Sequence, residues 1–198
     1  MKTARTTAAI LAGLTLASAG PRAGALDFVL HARNVEEDGF TKEQLYVRND
    51  ERSEVLLTLP ARWVRTDGAA SLTLVPPDVR NSLVRVEKSP LAPGVEFRAA
   101  GLDTYRRRAS AGVPQGATNV EAREERENPL PIFGWTSREF TYAYDFFGQA
   151  YRRTVVFVNL NAREQIVLTC VAPTGDFDAV REEALEVLRS WQVVPAKG

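Results

Sequence analysis

EFTYAYDF (139–146), RRTVVFVN (152–159) and QIVLTCV (165–171) are the segments that decide how this chain folds. Phe140, Tyr142, Tyr144 and Phe146 recur at every second position, the period that sends successive side chains to opposite faces of a strand. Val155 and Phe157 alternate with Val156 and Val158; Ile166, Leu168 and Cys170 alternate with Val167 and Val171. Strands that are apolar on both faces must be covered on both, so the spacing predicts a sheet that forms a middle layer. Turns at Phe147-Gly148-Gln149 and Asn159–Glu164 join the three into an antiparallel meander.

Downstream, Pro173-Thr174-Gly175 interrupts the strand pattern. Residues Asp176–Trp191 then set Phe177, Val180, Ala184, Leu188 and Trp191 on one stripe, with Arg181, Glu182, Glu183 and Glu186 away from it. That is an amphipathic helix, and Asp176 or Thr174 is placed to cap its first amides. Upstream, Val95–Ala111 carries Val95, Leu102, Tyr105 and Ala109 at helical spacing, with Gly112 and Pro114 as stop signals. Residues 113–131 are rich in Pro, Gly, Asn and charge and read as a loop with a strand near Thr118–Arg123. Leu26–Arg33, Glu43–Arg48, Glu54–Leu59, Ala70–Val75 and Leu83–Glu87 read as further strands; Pro60 stops the third and Pro76-Pro77-Asp78 turns between the last two. The expected fold class is α+β: an antiparallel sheet sandwiched by helices.

The N-terminus predicts where the chain goes. Lys2 and Arg5 precede an apolar stretch, Ala8–Ala17, followed by Ala17-Ser18-Ala19 and Ala23-Gly24-Ala25. This is the basic, apolar and small-residue order of a secretory signal over residues 1–25, with cleavage after Ala19 or Ala25. The apolar run is too short to cross a bilayer as a helix, and no Cys follows it to carry a lipid. A single domain over residues 26–198 remains. Its 22 basic groups face 25 acidic ones, a net charge of −3, so no electrostatic footprint for nucleic acid or anionic lipid survives. With 44% hydrophobic and 25% charged residues the chain is an ordinary globular one. One Cys and one His exclude an internal disulfide framework and any His- or Cys-rich metal cluster.

The order of features resembles the PsbP-like superfamily. An early strand ends in Leu59-Pro60-Ala61-Arg62-Trp63; a β-rich half leads into a middle helix; a three-strand meander runs through Thr169-Cys170-Val171-Ala172-Pro173 into a last helix ending Leu188-Arg189-Ser190-Trp191. The likeness spans roughly residues 40–195 and lies in fold-determining positions. It implies an α/β/α sandwich akin to bacterial envelope proteins of the DcrB and LpqN type. Most such proteins are non-enzymatic adaptors, with no shared catalytic motif to carry over. Fold likeness does not by itself license function.

Chemistry-bearing residues are few. His31 lies in an edge strand with no G-x-S-x-G elbow elsewhere, and Cys170 alternates with core residues, where a thiol behaves as a small hydrophobe. Glu121, Glu124, Glu125 and Glu127 interleave with Arg123 and Arg126 as a solvated charged face. No phosphate-binding, dinucleotide or calcium loop is present, so no cofactor or metal is expected. Three features point instead to binding. Leu130, Ile132, Phe133 and Trp135 form an apolar loop stiffened by Pro129 and Pro131; Arg106, Arg107 and Arg108 concentrate positive charge on a helix; and Phe140–Phe146 offers an aromatic row. The expectation is an exported, non-catalytic accessory protein that binds another envelope protein through the Leu130–Trp135 loop and Arg106–Arg108. A small hydrolase using Cys170 or a carboxylate pair, and a small-ligand carrier with a pocket between sheet and helix, are the alternatives.

Overall fold

A computed structural model describes residues 27–37, 39–48, 53–60, 62–68, 71–90, 97, 99–130, 135–160 and 164–195. The expected signal segment, Val95, Ile132 and Phe133 lie outside them. Among the described residues the protein is α+β, mostly strand, with antiparallel sheets and two helices. The elements run β1 (Asp27–Glu37), β2 (Phe40–Arg48), β3 (Ser53–Leu57), β4 (Val64–Asp67), β5 (Ser71–Val75), β6 (Leu83–Pro90), α1 (Ala99–Ser110), β7 (Thr118–Glu127), β8 (Thr136–Phe146), β9 (Gln149–Asn159), β10 (Glu164–Pro173), α2 (Phe177–Arg189) and β11 (Gln192–Pro195).

Two sheets are present where the sequence suggested one. Strands β1-β2-β3-β11 form a four-stranded sheet, and β4-β5-β6-β10-β9-β8-β7 a seven-stranded one. Strands β4 and β11 escaped sequence reading because four residues are too few to display a period. Strand β7 runs four residues beyond the expected Arg123, through Glu124–Glu127, which are poor strand formers. It is tolerated as an edge: all ten residues are exposed, and charge with two register irregularities blunts further pairing.

The two faces of β9 and β10 bury different partners. Val155, Phe157 and Val167 join Tyr105 and Ala109 of α1, with Phe140 and Tyr142 of β8. Val156, Val158, Ile166, Leu168 and Cys170 join Val180, Ala184, Leu188 and Trp191 at α2, together with Val47, Val55 and Leu57 of the smaller sheet. The expected Asp176 cap is not made: Asp176 precedes α2, but its side chain forms no capping hydrogen bond.

One polar cluster crosses the α2-side core. Arg181 of α2 donates from Nε and Nη2 to the two carboxylate oxygens of Glu139 on β8, at 2.7 and 2.6 Å. Thr154 donates to Glu139 at 2.8 Å, and Thr141 lies 3.1 Å from Thr154. Glu139 is fully buried and Arg181 nearly so, so each charge depends on the other. Arg181→Met, which strands Glu139, is expected to cost about 3–5 kcal/mol in urea unfolding, and adding Glu139→Leu should recover most of that.

Candidate binding site

The three arginines of α1 diverge, as residues 100° apart on a helix must. Arg106 pairs with Glu125 of β7 and with Asp103. Arg107 lies along the exposed side of α1 on Thr104 and the Asp103 carbonyl. Arg108 turns inward, donating to Gln165 at 3.1 Å with its guanidinium 5.0 Å from the centre of the Phe157 ring. Gln165 in turn donates to Tyr105 and Asn159. Arg106 and Arg108 therefore fasten α1 to the sheet while remaining exposed, and of the three only Arg107 is held solely by its own helix.

The proline-rich segment is also drawn inward where it is described. Leu130 is fully buried in the α2-side core, and Trp135 packs partly buried against it. His31 is exposed on β1. The acidic run sits on β7 in ion pairs: Glu121 with Arg123, Glu124 with Arg126, Glu125 with Arg106, Glu127 with Arg138. Among the described residues no three metal-ligating side chains gather. Cys170 is fully buried, and burial pushes its thiol from 9.0 up to about 12, far from the thiolate needed for nucleophilic attack.

The aromatic row of β8 divides along its length. Phe140 and Tyr142 lie under α1, and the Tyr142 hydroxyl donates to the Arg106 carbonyl at 3.1 Å. Beyond the end of α1, Tyr144 stacks on Tyr151 of β9 with ring centres 5.8 Å apart and planes within 16°. Desolvation raises the Tyr144 phenol above its ordinary value, despite the opposing field of Arg153. At the tip Phe146 pairs with Gln149, leaving the two-residue turn Phe147-Gly148 with φ of 48° and 75°. Both values are positive, the type I′ geometry of tight hairpins. Phe147 is 94% exposed, its ring 4.3 Å from that of Phe146.

Behind this tip lies a groove of about 470 Å³. Tyr144, Tyr151 and Val171 contribute to it from the strands, Phe146 and Phe147 from the hairpin, and Asn81 and Pro114 from the β5–β6 and α1–β7 connections. Gln149 is tethered there, its side-chain oxygen accepting from Tyr151 at 2.8 Å and from Asn81 at 3.5 Å. The period-two aromatics were visible in sequence. The turn at Phe147 was also visible; what sequence reasoning missed was that α1 stops short of the hairpin.

The same sheet face continues apolar toward β4. Val171 pairs with Leu83, which lies beside Val75, and Val75 pairs with Val64. Val64, Val75 and Leu83 are 59%, 38% and 37% exposed, a run that singly scattered surface residues would not produce.

No family model and no curated protein sequence matches the chain. Solved structures do. LpqN of Mycobacterium tuberculosis aligns with 85% of this chain and 92% of its own at 11% identity and a TM-score of 0.52. The Ran-binding protein Mog1p of Saccharomyces cerevisiae aligns with 82% and 95% at 10% identity and a TM-score of 0.51. Cyanobacterial PsbP of Synechocystis sp. PCC 6803 aligns with 90% and 99% at 17% identity and a TM-score of 0.47. Identities this low speak for architecture alone, and in architecture the chain is similar to LpqN and Mog1p.

Proposed function

We propose that the protein is a non-catalytic binding protein, an accessory or adaptor component of an envelope complex. In this reading it is exported with removal of residues 1–25 and works as a single domain over residues 26–198. Its seven-stranded sheet is the middle layer of a PsbP-like sandwich. LpqN is described as involved in cell envelope biogenesis and Mog1p as Ran-binding, which supports a binding role for the shared architecture. No helix among the described residues is long and apolar enough to cross a membrane.

Phe147 carries the proposal. A type I′ turn favours Asn or Gly at this position, and a bulky residue held at positive φ costs roughly 1–2 kcal/mol. Here the chain places a phenylalanine, and exposes 94% of it to solvent. Its ring meets that of Phe146 at 4.3 Å but stays 94% exposed, so in this reading the return lies in a contact outside the molecule. The contact surface runs from Phe147 along the apolar face toward Leu83, Val75 and Val64. From the set expected on sequence we retain Arg107 as a contact; Ile132 and Phe133 lie outside the described residues. Leu130, Trp135, Arg106 and Arg108 act by building the scaffold.

Phe147→Asn creates the preferred Asn-Gly turn, so the melting temperature should hold or rise. In crosslinking capture from the native host, the wild type should recover an envelope partner in near-equal amount and the variant should lose it. Unchanged capture by Phe147→Asn would remove the hairpin from the interface.

Cys170 separates this reading from a thiol hydrolase. Native protein at about pH 8 should resist thiol labelling until denatured. The unfolded chain releases the thiol proton from about pH 8.5, whereas the folded chain keeps it to about pH 12. The stability due to the buried neutral thiol is thus intact below that range and falls as pH climbs through it. Urea midpoints should drop more steeply between about pH 8.5 and 11 in the wild type than in Cys170→Ala. Rapid labelling of native protein would sink the non-catalytic reading.

A further inference from the structure

Between β4 and the smaller sheet lies a cleft of about 290 Å³, floored by Leu45 of β2 and Leu57 of β3. Arg62, Trp63 and Arg65 line it from β4 and the turn before it. Arg65 pairs in register with Leu74, a buried residue of the α2-side core, so it projects from the core-facing side of an edge strand. Farther into the sheet that side carries Leu72, Leu74, Val84 and Val86, all fully buried. Arg65 is the exception: it stays exposed, and among the described residues no acid pairs with it.

Arg62 is held in the left-handed region, with φ of 68°. The Trp63 amide donates to the Pro60 carbonyl at 3.3 Å, which closes a turn with Arg62 in third place. Glycine or asparagine is the unstrained choice there. The ion pair of Arg62 with Asp78, at 3.1 Å, joins side chains that are 77% and 73% exposed, so it offsets little of the strain. Gln44 adds a third donor to the cleft: its side-chain oxygen accepts from Tyr46 at 2.6 Å, which leaves its amide nitrogen to a ligand. Among the described residues no acid lines this cleft, although the chain has as many acids as bases. The cleft around Arg106, by comparison, is lined by Glu124 and Glu125 as well.

We propose that this cleft binds a small phosphate monoester, its phosphoryl oxygens on the Arg62 and Arg65 guanidiniums and its organic body against Trp63. Two guanidiniums and an amide present donors, and a phosphate brings three acceptor oxygens and up to two negative charges to meet them. A volume of about 290 Å³ lies at the small end of ligand sites, which limits the body to about one ring. The ligand also accounts for the strain at Arg62, since a turn that gives up stability to place a cation at a cleft is serving the cleft. Val64 turns to the opposite face of β4, so this site stands apart from the Phe147 surface, and either holds without the other.

The test is calorimetric titration of the full chain at about pH 8, where a phosphate monoester is doubly charged, with phenyl phosphate, inorganic phosphate and phenol. Phenyl phosphate should bind saturably and at least about tenfold more tightly than either fragment. Arg65→Gln should weaken it at least about tenfold and leave the melting temperature unchanged. Arg62→Gly should weaken it likewise while the melting temperature holds or rises, because the strain at positive φ is released. No saturable binding of phenyl phosphate, equally tight binding of phenol, or full affinity in either variant overturns the proposal. Inorganic phosphate binding as tightly as the ester would leave Trp63 without a role and overturn the ester. A lowered melting temperature in Arg62→Gly would make Arg62 a structural residue and overturn its assignment to the site.

Discussion

Strands β9 and β10 have no polar face, and the rest of the molecule answers to that. A strand with Val155 and Phe157 on one side and Val156 and Val158 on the other loses burial energy wherever either side meets water. The α2 side is met in full: α2 lies over it, and Val47, Val55 and Leu57 of the smaller sheet close the same core. The α1 side is met only in part. A helix of 12 residues extends about 18 Å at 1.5 Å per residue, while the 11 residues of β8 extend about 36 Å. Roughly half of the length of that face is left without a helix, and it is there that Tyr151, Phe146, Phe147 and Leu83 emerge.

The α2 side is also the side that is pinned by charge. A stripe of Val180, Ala184 and Leu188 would pack nearly as well with the helix slid by a turn, since apolar contact is not directional. The two-pronged Arg181–Glu139 pair, with Thr154 behind it, is satisfied in one register only. The buried pair therefore acts on the choice of packing more than on its depth, because an apolar replacement of both partners would hold the core about as firmly. On the α1 side Arg108–Gln165 and Arg106–Glu125 do the same near the C-terminal end of the helix, but nearer to solvent.

Much of this was legible in the amino-acid order. The alternation in 139–171 marks the central strands and assigns each residue to its face, because period two is enforced by the backbone and is independent of neighbours. The stripe in α2 is legible for the same reason. What was not legible is whatever depends on distant pairing. Strand β11 exists only because Val193 and Val194 lie beside Val55 and Glu54, nearly 140 residues earlier. Strand β7 holds ten exposed residues in a sheet by hydrogen bonding to β8, against their propensity. The arginine triplet showed its divergence in the helical angle, but not which carboxylate or amide would take each member. The Leu130 segment could be read either as tucked over a sheet end or as offered to a partner, because prolines restrict pairing and say nothing of burial.

The extent of the site follows from where α1 ends. Ala109 is the last buried residue of the helix, and Gly112 lets the chain pass close over the Arg153 guanidinium. Pro114 then turns the connection away toward β7 and becomes a wall of the groove. Had the helix continued for two more turns, the half-buried Tyr151 would be covered as Phe140 and Tyr144 already are. The stop signal at Gly112 and Pro114 thus sets both the limit of the core and the size of the groove. One alternating pattern on β8 and β9 supplies packing on one side of that limit and an exposed aromatic tip on the other.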